Sequence, residues 1–324
     1  FAMSHLYWVE DEELAWTPVK WMKEEDTPKG KMHTCLQLNG KKRVVTDAVL
    51  QSCETVEQAE LDNIIPNLVD LESFSEGIIL HQCGERYKKE KIYTFVGTIL
   101  VAVNPFKRLD IYNNEVIEHY KQSARTSATP EPHVFSIASL AHEHLLNDQV
   151  SQSVLISGES GAGKTETTKK ILEYLAAVAG KDARRTSSVN VAQQILRSNP
   201  VLESFGNAKT GRNKNSSRFG KWMELNFTND GKIKGCRIVN YLLEKSRLVN
   251  QLTNERNYHV FYMMLTDDAL KTKLKLSDAA MYNYLNQSGC EVVEGRDDSE
   301  EHIDMMAAFR DLEFDNDHQD NIFK

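Results

Sequence analysis

The sequence predicts an α/β protein in which helices flank a mixed central β-sheet and a small β-rich module precedes this core. Three observations lead to this fold class. Short apolar strands with turn signals fill residues 1–55, strands alternate with amphipathic helices from residue 56 onward, and a glycine-rich turn joins one such strand to one such helix. We therefore expect two parts, residues 1–55 and residues 56–324.

The first part carries the signals of a small antiparallel sheet. Asn39-Gly40 separates the apolar segments 36–38 and 43–45, and Asn-Gly between such segments is a strong hairpin signal. Further along the chain, the apolar spacing predicts single elements in turn. We expect a helix over 73–87, a strand over 94–103, a helix over 134–146, a strand over 153–157 and a helix over 164–178.

Two more segments complete the predicted order. Apolar and polar residues alternate at 223–227, and Asn229-Asp230-Gly231 then leads into 233–241, which predicts a second hairpin. The strongly acidic stretch 291–320 is expected to be rich in loops, with a helix beginning near residue 314. Because the chain starts with Phe1 instead of Met and stops abruptly at Lys324, we expect it to be truncated at both ends.

Composition and charge limit the possible function classes. The chain has 324 residues with 40% hydrophobic content and a net charge of −8, which favours a globular protein and disfavours a general nucleic-acid or membrane-surface binder. Its five scattered cysteines contain no Cys-x-x-Cys, so we expect free thiols and a cytoplasmic location. The longest apolar run, 95–103, is too short to span a membrane. We therefore expect neither a nucleic-acid partner nor a membrane span.

The most specific motif is the glycine-rich turn, which fits G-x-x-x-x-G-K-[ST]. Its residues are Gly158, Glu159, Ser160, Gly161, Ala162, Gly163, Lys164 and Thr165. The glycines allow backbone N–H groups to surround an anion, and the following helix directs the positive end of its dipole to the same place. A chain with 16 Gly among 324 residues contains on the order of 0.01 such matches by chance. The turn therefore predicts a nucleotide-phosphate site.

A second segment, 207–221, contains five basic residues and no acidic one. By itself it is compatible with a solvated basic loop. In a chain that also has a phosphate-binding turn, its hydroxyls and its arginine become candidates for contacts to Mg²⁺ and to the γ-phosphate.

Together the two motifs resemble the P-loop and switch I of the myosin motor head. The matching strings are Gly-Glu-Ser-Gly-Ala-Gly-Lys-Thr-Glu at 158–166 and Asn-Lys-Asn-Ser-Ser-Arg-Phe-Gly-Lys at 213–221. Segment 104–108 with Tyr112 is similar to the loop on the adenine side. The resemblance implies a P-loop NTPase-type core, and residues 1–55 are similar in kind to the SH3-like β-barrel that precedes it.

The resemblance also implies a role for individual residues. The implied catalytic residues are Lys164, Asn213, Ser216 and Arg218. The implied nucleotide-binding residues are Asn104, Pro105, Arg108, Tyr112, Gly158, Glu159, Ser160, Gly161, Ala162, Gly163, Lys164, Thr165, Glu166, Asn213, Ser216 and Ser217. Thr165 and Ser217 are the implied ligands of Mg²⁺. Ser216 would help to place the attacking water, and Arg218 would form a salt bridge to a glutamate of switch II.

At the level of function, the resemblance implies an actin-based motor ATPase that binds Mg²⁺ with ATP or ADP. The implied partners are ATP and the actin filament, with light chains or calmodulin on a lever outside these residues, and the implied location is the cytoskeleton. The basic loop 180–188 is expected to influence nucleotide exchange. Lys214 and Gly211 depart from the family pattern and are expected to alter how switch I closes.

Switch II, of the form Asp-φ-x-Gly-Phe-Glu, does not occur in these 324 residues. We therefore expect the isolated chain to bind nucleotide with little turnover. The alternatives are a nucleotide-dependent binding module and a non-motor P-loop NTPase. Phe219-Gly220 after Ser-Ser-Arg favours myosin over kinesin-type motors, and the lack of Asn-Lys-x-Asp argues against a GTPase.

Overall fold

The computed structural model describes residues 5–28, 30–123, 130–179 and 191–324. Helices and strands both occur along these ranges, which confirms the predicted α/β class. The chain divides into two units, one made of residues 1–113 and 128–136 and the other of residues 114–127 and 137–324. Each unit is described separately below.

The first unit begins with a five-stranded antiparallel sheet, as expected of a small SH3-like module. The spatial order is β4-β3-β2-β1-β5. The strands are β1 (His5–Asp11), β2 (Ala15–Thr27), β3 (Gly30–Gln37), β4 (Lys42–Thr46) and β5 (Thr55–Glu57). The hairpin predicted at Asn39-Gly40 joins β3 to β4, and Gly40 has the positive φ of +83° that favours glycine in a tight turn.

The sheet is held together by two apolar clusters. One consists of Val9, Val19, Cys35, Val45 and Leu50, and the other of Leu6, Trp8, Val56, Leu61 and Ile78. Because the second cluster includes Ile78, the sheet shares its core with the helix that follows, and a domain boundary at residue 55 stays a prediction.

In the described part of the first unit, α-helices and one hairpin accompany this sheet, together with a 3-10 turn at Leu68–Asp70. The helices and the hairpin strands are α1 (Asp47–Ser52), α2 (Gln58–Asp62), α3 (Glu76–Lys88), β6 (Tyr93–Val96) and β7 (Ile99–Ala102). The prediction of a single strand over 94–103 is wrong, because Gly97 has a φ of +62° and reverses the chain between β6 and β7.

The second unit is dominated by helices. The helices from residue 114 onward are α4 (Asn114–Ser123), α5 (Val134–Asp148), α6 (Lys164–Val178), α7 (Val191–Gly206), α8 (His259–Met264), α9 (Asp268–Leu274), α10 (Asp298–Asp311) and α11 (Asn316–Phe323). The start of α5 lies in the first unit. The predicted helices over 134–146 and 164–178 are thereby confirmed. Ala208, Tyr258, Met263, Met305 and Phe309 form the buried centre that packs α7, α8 and α10 together.

The strands of the second unit pair two by two and antiparallel. They are β8 (Asn207–Ala208) with β9 (Ser216–Ser217), and β10 (Gly220–Phe227) with β11 (Ile233–Tyr241), the latter being the predicted second hairpin. Two isolated bridges also occur among the described residues, a parallel one from Asn67 to Phe95 in the first unit and an antiparallel one from Ala208 to Tyr258 in the second.

Two predicted elements in the second unit are wrong. Segment 153–157 contains no strand among the described residues, and Leu155 is 92% exposed there, without a neighbouring strand to cover it. The stretch 291–320 is largely helical, not loop-rich. Asp297 and Asp315 explain this difference, because their carboxylates accept hydrogen bonds from the first backbone N–H groups of α10 and α11.

Three further findings concern the chain as a whole. All five cysteines are free thiols, as expected. No helix within the described ranges has the length and apolar character needed to cross a membrane. The basic loop 180–188 lies outside the described residues.

Two glycines of α3 allow the packing of Trp8 to be tested. A Cβ on Gly77 would lie 2.3 Å from the buried Trp8 ring, whereas a Cβ on Gly84 would meet nothing within 4 Å. We expect Gly77→Ala to lower the free energy of unfolding by about 1–3 kcal/mol. Gly84→Ala should raise it by about 0.5–1 kcal/mol, because alanine is the better helix former. Urea unfolding of both variants is the measurement, and equal effects would contradict this account of the core.

Candidate functional site

The glycine-rich turn 158–165 forms the start of α6. Gly161 and Gly163 have φ values of +84° and +98°, a region that side chains other than glycine rarely adopt. Gly163 is the N-cap of α6 and offers no side chain to cap the helix. The first N–H groups of a helix have no partner within the helix, so this end is suited to bind an anion.

Lys164 bends back over this turn. Its Nζ donates hydrogen bonds to the carbonyl oxygens of Gly158 and Glu159, at 2.7 and 2.9 Å. The ammonium group therefore lies directly beside the glycine-rich turn. Glu166, in the first turn of α6, points instead toward Lys169 and is largely exposed.

The second motif forms a closed loop. Asn207 pairs with Ser217 and Ala208 with Ser216, so the ends of segment 209–215 are fixed next to each other. Ala208 is fully buried in the core of the second unit, which anchors this pair of strands. Asn213 lies within the loop, where its side-chain oxygen accepts a hydrogen bond from the Asn215 backbone at 2.9 Å.

The two motifs meet through two pairs of hydroxyl groups. The Oγ atoms of Ser160 and Ser216 are 3.1 Å apart, and Thr165 Oγ1 lies 3.2 Å from Ser217 Oγ. These pairs connect residues separated by 56 and 52 positions in the sequence. Neighbouring ligands of an octahedral Mg²⁺ lie about 2.9 Å apart, since each is about 2.1 Å from the ion. The Thr165–Ser217 pair therefore fits a magnesium ion with little rearrangement.

In the ranges that the structure describes, no group of three or more His, Cys, Asp or Glu side chains could hold a metal ion. The two hydroxyls would leave most positions around Mg²⁺ to water and phosphate oxygens, which is how this ion is usually bound at nucleotide sites.

Arg218 has a partner that the sequence did not suggest. Its Nε donates to Glu244 Oε2 at 2.7 Å, and its Nη1 donates to Ser216 Oγ at 3.3 Å. The same two residues are also joined through the backbone, because the Glu244 N–H donates to the Arg218 carbonyl at 2.9 Å. In this structure Arg218 is thus paired with Glu244, and the expected salt bridge to a switch II glutamate stays a prediction.

The β10–β11 hairpin explains this pairing. Gly220 lies opposite Tyr241, so the residues just before β10 and just after β11 are brought side by side. Burial raises the pKa of Glu244, but hydrogen bonds from Arg218 and Arg247 outweigh this effect, so the net pKa lies below the usual value. The hydrogen bond from Arg218 to Glu244 in turn raises the pKa of the arginine.

The residues expected on the adenine side all belong to the first unit. Asn104 accepts a hydrogen bond from the Phe106 backbone, Pro105 lies between them, and Arg108 is exposed. The Tyr112 hydroxyl lies 2.8 Å from that of Tyr93. The turn and segment 207–221 belong to the second unit, so the adenine-side role of these four residues stays a prediction.

The family model for the myosin head (motor domain) matches residues 65–324. The chain belongs to the myosin head family. It is 43% identical over 319 residues to myosin type-2 heavy chain 1 of Schizosaccharomyces pombe, covering 98% of this chain and 20% of that protein. It is also 45% identical over 261 residues to the myosin-I heavy chain of Dictyostelium discoideum, covering 80% of this chain and 11% of that protein. The chain thus spans about a fifth or less of the length of these relatives.

Lys214 and Gly211, the two positions of this myosin head chain that depart from the expected family pattern, both donate hydrogen bonds. Lys214 Nζ donates to the Glu294 carbonyl at 2.6 Å, and the Gly211 N–H donates to Glu255 Oε1 at 3.2 Å. Both contacts connect the switch I segment to parts of the second unit that follow it in sequence.

The Arg218–Glu244 pair predicts a pH dependence of stability. The pKa of Glu244 is lower in the folded state than in the unfolded state. The ionised side chain therefore contributes to the free energy of unfolding above about pH 4.5, and this contribution is lost as the pH falls through the folded-state pKa. Glu244→Gln should lower the free energy of unfolding by about 1–2 kcal/mol at pH 7 and by less near pH 3. Urea unfolding at both pH values is the measurement. Glu224→Gln, which alters an exposed acid 3.8 Å from Arg237, is the control and should change little.

Proposed function

We propose that this chain binds ATP or ADP with Mg²⁺ through the turn 158–165 and the segment 213–218, as part of an actin-based motor ATPase. The main support for the proposal is that the hydroxyl groups of Ser160 and Ser216, and those of Thr165 and Ser217, lie close to each other at the start of α6. Membership of the myosin head family supports the same function. Actin as partner, a cytoskeletal location and light chains on a lever belong to the proposal for the whole protein.

In this proposal, the chain's own groups bind and orient the phosphates. The N–H groups of the turn and of the first turn of α6 donate to phosphate oxygens. Lys164 exchanges its bonds to the Gly158 and Glu159 carbonyls for bonds to the same phosphates. Thr165 and Ser217 would hold Mg²⁺, which neutralises charge on the β- and γ-phosphates.

Ser216 is suited to direct a hydroxyl hydrogen into the site. Its Oγ accepts from Arg218, and an arginine can only donate, so the Ser216 hydroxyl hydrogen is directed to another acceptor, and Ser160 Oγ in the turn lies 3.1 Å away. With Ser216 only 4% exposed, bulk water competes little for that hydrogen. This supports a role for Ser216 in placing the attacking water, next to Asn213 near the γ-phosphate.

Nucleotide binding is tested by two variants that remove different contacts. Lys164→Ala should weaken the binding of a fluorescent ATP analogue about tenfold or more, because a charged hydrogen-bond donor to phosphate is lost. Ser217→Ala should weaken it only when Mg²⁺ is present. Lys170→Ala, which removes a lysine paired with Glu173 on the same helix, is the control. Equal affinity of Lys164→Ala and wild type would refute the proposed site.

Turnover and actin binding distinguish the motor from a binding module without catalysis. An arginine that stabilises the transition state accelerates phosphoryl transfer by a factor of about 10³–10⁵. Since Arg218 is paired with Glu244 here, we expect these 324 residues to bind Mg·ATP but to release phosphate slowly. The full-length polypeptide that contains them should hydrolyse ATP and should cosediment with actin in a nucleotide-dependent manner. Turnover at an ordinary motor rate by the 324 residues alone, or no actin binding by the full-length polypeptide, would contradict the proposal.

A further inference from the structure

Arg247 is a buried arginine close to switch I that the proposed function leaves unused. It lies in a 3-10 turn, Lys245–Leu248, and its side chain is 5% exposed. Its guanidinium group has three partners: Glu244 Oε2 at 2.6 Å, Glu255 Oε2 at 2.9 Å and the Arg256 carbonyl at 2.9 Å. One planar group therefore fixes two carboxylates at defined positions.

Each of these carboxylates holds one end of the loop that carries the proposed ligands. Glu244 accepts from Arg218 at 2.7 Å, immediately after Ser217. Glu255 accepts from the Gly211 N–H at 3.2 Å, before Asn213. Segment 211–218 is thus held at both ends by acids that share Arg247.

The charges explain why this arrangement depends on the arginine. Glu244 and Glu255 have side chains that are 30% and 13% exposed, so neither is fully solvated. Without Arg247, Glu255 would lose its charged partner and Glu244 would keep Arg218 alone. A lysine preserves the charge, but its ammonium lacks the planar fork that meets several acceptors in fixed directions.

We propose that Arg247 is a positioning residue that sets the geometry of segment 211–218 and thereby places Ser217 beside Thr165. The inference rests on the proposed function. If it holds, Arg247 controls the part of nucleotide affinity that depends on Mg²⁺. It leaves the part that comes from the turn 158–165 intact, because that turn is built on α6 without contribution from Arg247.

Other contacts maintain the surrounding fold when Arg247 is changed conservatively. The Tyr258 hydroxyl donates to the Glu244 carbonyl at 2.7 Å, and the Glu244 N–H donates to the Arg218 carbonyl. The β10–β11 ladder extends from Gly220 opposite Tyr241 to Phe227 opposite Ile233. Arg247→Lys should therefore change the loop geometry more than it changes the fold.

The test compares nucleotide affinity in Mg²⁺ and in EDTA, using the full-length polypeptide and a fluorescent ATP analogue. Arg247→Lys should weaken binding about tenfold in Mg²⁺ and much less in EDTA, where Ser217 has no ion to hold. Arg237→Lys, which alters an exposed arginine on β11, is the matched control and should affect neither condition.

A second variant keeps the inference testable if Arg247→Lys does not fold. Glu255→Gln removes the charge that holds the Gly211 end and should likewise show a much larger loss in Mg²⁺ than in EDTA. In the double variant, the two losses should not add, because both act on one arrangement. Equal losses in Mg²⁺ and EDTA, or no loss in either variant, would overturn the positioning role. A wild-type polypeptide that binds no nucleotide would refute the proposed function itself, and this inference with it.

Discussion

The site depends on one short antiparallel pairing. Asn207 and Ala208 pair with Ser217 and Ser216, and this two-residue ladder fixes where a loop of seven intervening residues begins and ends. Ala208 is completely buried among residues of three helices, so the ladder is attached to the core of the second unit. This attachment places the serine hydroxyls at the start of α6 and so brings the two motifs together.

Ion pairs then restrict the side chains of the loop whose ends the β8–β9 pairing fixes. Backbone pairing alone defines the position of a loop's ends but leaves its side chains free to rotate. In this chain, a continuous series of ion pairs reaches both ends of the loop and consists of Arg218, Glu244, Arg247 and Glu255. Removing one member of such a partly buried series lowers the free energy of unfolding more than removing one member of an exposed pair does. The reason is that its neighbours lose a partner that water cannot fully replace.

The elements that local signals determine were predictable from the sequence. The turn 158–165 and α6 follow from glycine spacing and helix periodicity, and both hairpins follow from Asn-Gly or Asn-Asp-Gly turns. Predictions failed where the outcome depends on one residue or on distant neighbours. Gly97 divides an apolar run that looks like a single strand, and the side-chain caps of Asp297 and Asp315 start helices in a stretch that looks like acidic loops. Glu244 was missed as a site residue because the β10–β11 register, which no local pattern reveals, brings it to Arg218.

The uncapped start of α6 has a consequence for how the protein responds to its ligand. Gly163 supplies no side chain to its first turn, so a bound anion would act as the missing cap. Occupancy would then be linked to the local unfolding equilibrium of the helix, since a ligand that binds only the folded end stabilises it by mass action. Amide hydrogen exchange in the first turn of α6 would report how much of the proposed nucleotide site is filled, independently of any catalytic step.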